Sequence, residues 1–132
     1  MKIEADWGVQ EMSDFFDTEY SQEFDEHRKA RVAMSYYKYG TARINFGRHY
    51  VNALGSMRKA IDKYLETRNK EYLCDAANYL MFEFMFPSYP GVYFKPTSSE
   101  ESAGLDGISI AEIEEIRKND EYFQMRLEDD LK

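Results

Sequence analysis

Disulfide cross-linking within the fold is closed to this chain, because its 132 residues include one cysteine, Cys74. Such sparing cysteine use fits a reducing compartment, and a cytoplasmic location is expected. Cys74 lies inside an apolar helical run, where a buried structural thiol is expected rather than a nucleophile. The two histidines, His27 and His49, have no Cys or His at ligand spacing, so no zinc site is expected. No run of about 18 apolar residues is present, which excludes a helical membrane span. The opening "MKIEADWGVQ" lacks a basic region followed by an apolar block, so no signal peptide is expected. The glycines of "SYPGVYFKP" and "SAGLDG" do not have phosphate-loop spacing. No local Ser–His or Cys–His pairing suggests a catalytic nucleophile.

What the chain does have is aromatic and charged side chains. Hydrophobic residues make up 43% and charged residues 32%, the composition of a globular chain rather than a disordered one. Eleven tyrosines and nine phenylalanines point to a wet-edged core or a contact surface, since Tyr pairs a large apolar face with a hydroxyl. The net charge of −8 is unevenly spread. Residues 1–26 hold nine acids and one base, residues 27–68 ten bases and two acids, and residues 100–132 eleven acids and four bases. Either the acidic ends fold against the basic middle and cancel it, or one sign stays exposed and recognises a charged partner.

Length and pattern predict one all-α domain over residues 1–132: a small bundle of about four helices with one long structured loop, residues 87–107. Residues 1–12 are expected to be loosely ordered. Ser13 is the expected N-cap of a helix, broken or continuous, that ends at Gly40. A second helix is expected from about Tyr50 to Thr67, with Val51, Leu54, Met57, Ile61 and Leu65 as its apolar stripe. The third, about Lys70 to Phe86, is stopped by Pro87. All three prolines and three of the seven glycines fall in 87–107, where a short strand at "VYF" is the alternative to irregular loop. Ser109 and Glu112 have capping-box spacing, so a fourth helix is expected from Ile110, with Ile110, Ile113 and Ile116 facing inward. The acidic tail from Asn119 can extend it.

The third helix contains "EYLCDAANYLMFEF", residues 71–84, an apolar run with acids embedded in it. Helical spacing puts Leu73, Ala76, Ala77, Leu80, Met81 and Phe84 on one broad apolar face. Glu71, Asp75, Asn78 and Phe82 form a second line at its border. This stretch resembles the second metal motif of the MazG-type all-α nucleotide pyrophosphohydrolases. That resemblance implies Mg²⁺ held by Glu71, Asp75 and Glu83, and cleavage of nucleoside triphosphates to monophosphate and pyrophosphate. The family's first motif, a Glu cluster one helix earlier, has no counterpart in "YVNALGSMRKAIDKYLE". Asp75 and Asn78 therefore read first as polar residues that fix packing at the core's edge, bonding the loop after Pro87. A wider likeness, over "YYKYG", "NFG", "ETRNKEYLCDAANYLMFEFM" and "SSEESAG", resembles short proteins of phages and mobile elements. It implies a source more than a chemistry; together with the acidic ends, the expectation is a non-enzymatic inhibitor of a host nucleic-acid-handling enzyme, anti-defence or anti-CRISPR-like, acting in the host cytoplasm without a cofactor.

Three functions follow. In the first, exposed carboxylates occupy a partner's basic nucleic-acid channel by electrostatic steering. The residues expected to carry it are Asp14, Asp17, Glu19, Glu23, Asp25, Glu26, Glu100, Glu101 and Asp106, with Tyr37, Arg43 and Arg48. The partner is then a host protein or ribonucleoprotein, and self-association stays open. The second is the Mg²⁺-dependent hydrolase. The third is RNA or single-strand binding through "HRKARVAMSYYKYGTARINFGRH", which interleaves phosphate partners with stacking platforms. Its alternative is that Tyr36, Tyr37 and Tyr39 cap the core while their basic neighbours pair with the acidic N-terminus. A net −8 opposes direct binding of a polyanion.

Overall fold

The computed structural model describes residues 15–119, and every secondary-structure element among them is helical. Ser13, Asp14, residues 1–12 and the acidic tail past Asn119 lie outside the described residues. The chain divides into two compact units, residues 1–92 and 93–132.

In the first unit, residues 15–19 are helical and the chain then breaks at Tyr20 and Ser21. Ser21 begins a new helix by accepting the Phe24 N–H at 3.0 Å, which satisfies one of the amides left open at a helix start. This helix, α1, runs Gln22–Tyr39 with Glu23 and Asp25 in its first turn and Lys38 in its last, the order its dipole favours. It ends at Gly40, whose φ of 85° suits a residue without a Cβ. Thr41 caps the short α2, Ala42–Asn45, and the Asn45 amide donates back to the Tyr39 carbonyl at 2.9 Å. A Cβ on Gly47 would stand 2.0 Å from the Arg43 carbonyl oxygen, so this turn tolerates only glycine.

The second long helix, α3, spans Ala53–Thr67. It begins three residues later than the periodicity predicts because Asn52 is the cap, accepting the Gly55 N–H at 3.0 Å. It closes on Arg68, a left-handed residue at φ 64°. Helix α4, Glu71–Met85, follows and stops ahead of Pro87. Helix α4 is the centre of the unit, because both α3 and α1 pack against it. Small residues make the approach: Ala53 and Ala60 on α3, with Cys74 and Ala76 on α4, are all buried. The apolar centre is Phe46, Ala53 and Phe82, with Val32, Ala42, Tyr79, Met81 and Phe86 packed around it. Phe46 lies nearly flat on Phe82, centroids 4.5 Å apart.

Three expectations about faces change. Leu80 and Phe84, expected on the core face of α4, are exposed, Phe84 at 72%. Phe82, expected at the polar border, is buried in their place. The reason is that α4 is covered from two sides, so its dry surface extends over Cys74, Asn78 and Phe82 toward α1. On α3 the stripe is shifted likewise: Val51 and Leu65 are exposed while Ala53 and Ala60 are buried.

In the second unit, Ser98 and Glu101 form a reciprocal capping box around a single 3₁₀ turn, Ser99–Glu101. Helix α5 is Ile110–Lys118, begun by Ser109 accepting the Glu112 N–H at 3.1 Å. Ile113 and Ile116, expected to face inward, are exposed on this nine-residue helix. Residues 92–94 are extended loop rather than strand.

Phe82→Ala should cost about 3–5 kcal/mol, because it opens a hole under Phe46 that the flanking helices cannot close. Tyr50→Ala, at an exposed turn position, should stay within about 0.5 kcal/mol of the parent. Urea denaturation of the two variants checks the contrast.

Candidate binding site

Two acids of the third predicted helix, Glu71 and Asp75, are occupied by one cation. Arg31, on α1, donates from Nε and one terminal nitrogen to the two Asp75 oxygens at 3.0 and 3.1 Å. Its other terminal nitrogen lies 2.8 Å from Glu71 Oε1. The fork geometry matches a planar guanidinium to a carboxylate, the pairing that holds best when partly dry. The bond to Asp75 and the nearby negative charges raise the Arg31 pKa further, against the opposing effect of burial. Glu83 is engaged elsewhere: its carboxylate accepts from the Ser88 backbone N–H at 2.7 Å and from the Ser88 hydroxyl at 2.6 Å. Glu71, Asp75 and Glu83 are thus not assembled into one ligand set. Among the described residues, no group of three or more His, Cys, Asp or Glu is placed to hold a metal ion.

Asn78 completes the junction between the helices, one turn beyond Asp75. Its amide nitrogen donates to the Arg28 carbonyl on α1 at 3.0 Å. Asp75 and Asn78 do fix packing at the core's edge, but they bond α1 rather than the loop after Pro87. Glu83 is the residue that ties that loop. The Asn78 residue is only 5% exposed, and its amide oxygen has no partner. Burial, followed by the charges of Asp75 and Glu71, pushes the Cys74 thiol up. That direction disfavours the thiolate, the reactive form of a cysteine.

Beside this junction lies a cleft of about 210 Å³. Val32, Phe46, Val51 and Phe82 supply apolar wall, Tyr36 and Tyr39 stand at its edge, and Asp75, Asn78 and Tyr79 also line it. A second, open concavity lies around Arg43, Arg48, Ile44 and Phe86. It brings together two of the arginines expected as contact residues. Tyr37 is 84% exposed and meets Tyr36 edge-on at 5.4 Å. These tyrosines project from α1 instead of capping the core, which Phe46 does from the following turn.

The acidic candidates divide. Asp17, Glu19, Glu23 and Glu26 are exposed along the start of α1 and the turn before it. Asp25 is tied to Arg28 at 3.1 Å and accepts the Tyr20 hydroxyl. Those bonds, Tyr20's first, hold its carboxyl below the usual range. In the second unit Glu100 and Asp106 are exposed, and Glu101 is spent on its capping box and a long 3.8 Å pair with Lys95. Sequence reading missed Arg31 as the hub, along with Phe46, Val51 and Tyr79 as lining. Arg31 is one of ten bases in its segment, and nothing in the local pattern marks the one that faces α4. Comparison with family models, curated proteins and solved structures finds no match to this chain.

Desolvation raises the Tyr79 phenol above its ordinary 10.0. A raised folded-state pKa contributes stability that is intact below the unfolded value and lost as pH rises through the folded one. Urea stability should therefore fall on the alkaline side of 10.0, and Tyr79→Phe should fall less steeply there than the parent. Parallel alkaline limbs would show that Tyr79 ionises as freely as an exposed phenol.

Proposed function

We propose that this chain is a non-enzymatic binding protein that occupies the basic nucleic-acid channel of a partner enzyme and blocks it. The observation that supports this reading is the spending of charge. The basic middle uses Arg31 on α4's own acids, Glu71 and Asp75. The carboxylates of Asp17, Glu19, Glu23 and Glu26 are left facing solvent. Among the described residues, Glu23 pairs with the exposed His27 at 3.6 Å. Helix α1 fixes Glu23 and Glu26 within its first turns, and Asp17 and Glu19 precede it on the helical piece of residues 15–19. Negative charge fixed in place steers association with a positive channel and lowers the ordering cost of docking. The target class assigned is a host defence nuclease, and the source a phage or mobile element, as the sequence resemblance implies.

A second reading, direct binding of RNA or single strands, is favoured by one feature. Arg43 and Arg48 share a concavity with Phe86, and exposed Tyr36, Tyr37 and Tyr39 close the helix that leads to them. Cations beside exposed rings suit backbone contact and base stacking. Hydrolysis is the weakest reading, because Glu71 and Asp75 would have to give up Arg31 before either could bind Mg²⁺.

Capture from host lysate separates the first two readings. Replacing Glu19, Glu23 and Glu26 together by Gln should weaken partner capture about tenfold or more. The same change should cost less than about 1 kcal/mol in stability. Capture should also survive nuclease treatment. Loss of capture in step with loss of folding contradicts the acidic-surface reading. Nuclease-sensitive capture that is abolished by Arg43→Ala and Arg48→Ala, and untouched by the Gln changes, supports the second reading.

A further inference from the structure

We infer that the outward face of α1 is a self-association surface, on which a second copy of this chain docks antiparallel about a two-fold axis at Ala30. Arg28, Arg31 and Val32 turn one side of the helix toward α4 and its core. At 3.6 residues per turn, the opposite side carries Glu23, Glu26, Ala30, Ala33, Met34 and Tyr37. The steps from 23 to 26, 30, 33 and 37 are those of a helix–helix seam. All six residues are exposed, Tyr37 at 84%.

Charge along this face decides both the occupant and its direction. Glu23 and Glu26 stand at its start. Lys38 lies in the last turn, and Arg43 and Arg48 follow just beyond it. Among the described residues, neither Glu26 nor any of these three bases forms an ion pair. A basic channel would match the first end alone, and a polyanion the last end alone. A second α1 turned end for end matches both, whereas a parallel copy would set acid against acid and base against base.

The register follows from the positions. With Ala30 against Ala30 of the other copy, Glu23 lies across from Tyr37 and Glu26 across from Met34. Lys38 then reaches Glu23 of the other copy from the same flank, and the Tyr37 hydroxyl can donate to that carboxylate. Alanines at 30 and 33 let the helix axes approach to about 8–9 Å. Met34 and Tyr37 supply apolar area on either side of them. Such a contact is isologous, so each pairing occurs twice and assembly stops at two copies. The pairing does not rest on the acidic-surface reading, although it covers Glu23 and Glu26 and would compete with partner capture.

Charge reversal at the two ends of the seam tests it. Sedimentation equilibrium of the full-length protein should show monomer and dimer exchanging with a Kd of about 10–100 µM, as for a small interface. Glu23→Lys alone and Lys38→Glu alone should each weaken self-association about tenfold or more. An equimolar mixture of the two variants restores opposite charges at both ends, and should associate within about threefold of the parent. Far-ultraviolet circular dichroism should be that of the parent throughout. Should either reversal unfold the chain, Ala30→Arg sets like charges face to face at the two-fold and should abolish the dimer. A parent that stays monomeric to about 1 mM overturns the inference. So does a dimer indifferent to these substitutions, or a mixture that fails to recover.

Discussion

A single guanidinium bridges α1 and α4 in the first unit of this protein, across 44 residues of sequence. Arg31 spans two carboxylates of α4, and further contacts join the same helices: Asn78 to the Arg28 carbonyl and Arg28 to the Met81 sulfur, with Val32 packed against the Phe46–Phe82 cluster. Ion pairs of this kind contribute little at a fully wet surface, whereas removing one partner of a partly dry pair is costly because it strands the other charge. Asp75 is the drier of the two carboxylates, with 21% of its side chain exposed against 50% for Glu71. The bidentate bond to Asp75 is thus the firm member, and Glu71 serves as an outer brace.

The dependence on that pair follows from how thin the apolar core is. No large side chain among the described residues is fully buried, and the buried set is dominated by alanines, Cys74 and two phenylalanines. Alanines let α3 and α4 approach closely but remove little apolar area from water. Helix α1 has no buried residue at all, so the hydrophobic effect alone holds it weakly. Polar bonds at Asp75 and Asn78 therefore set where α1 sits, and with it the cleft between α1, Phe46 and α4. The same thinness leaves many aromatic side chains exposed, which is the raw material of a contact surface.

Much of the fold was legible in the sequence, for local reasons. Gly40, Pro87 and Ser109 act through their own backbones and neighbours, and the structure uses each as the pattern predicts. The all-α class follows from such signals together with the absence of any alternating strand pattern strong enough to compete. What was hidden depended on which elements meet. Helical spacing places Phe82 with the acids and Phe84 with the apolar residues, yet burial reverses them, because α4 is covered on two sides and periodicity cannot say which two. The pairing of Arg31 with Asp75 spans 44 residues, and no local pattern encodes a partner at that distance. The acids of α4 were visible as a cluster, whereas the cation that neutralises them was one base among many.

That neutralisation links the fold to its use. With Arg31 committed to α4 and Arg28 to Asp25, Glu23 and Glu26 at the start of α1 remain on the surface. Glu23 and Glu26 place negative charge at the start of α1, while the tyrosines of its last turn and Arg43 and Arg48 beyond it form a surface of opposite character. A double-mutant cycle between Arg31→Met and Asp75→Ala, read by urea denaturation, measures the interaction on which this arrangement rests. A favourable coupling of about 1–2 kcal/mol is expected, with Glu71 retaining part of the lost attraction in the Asp75 variant. Strict additivity of the two substitutions, within about 0.5 kcal/mol, would show that α1 is held by something other than this bridge.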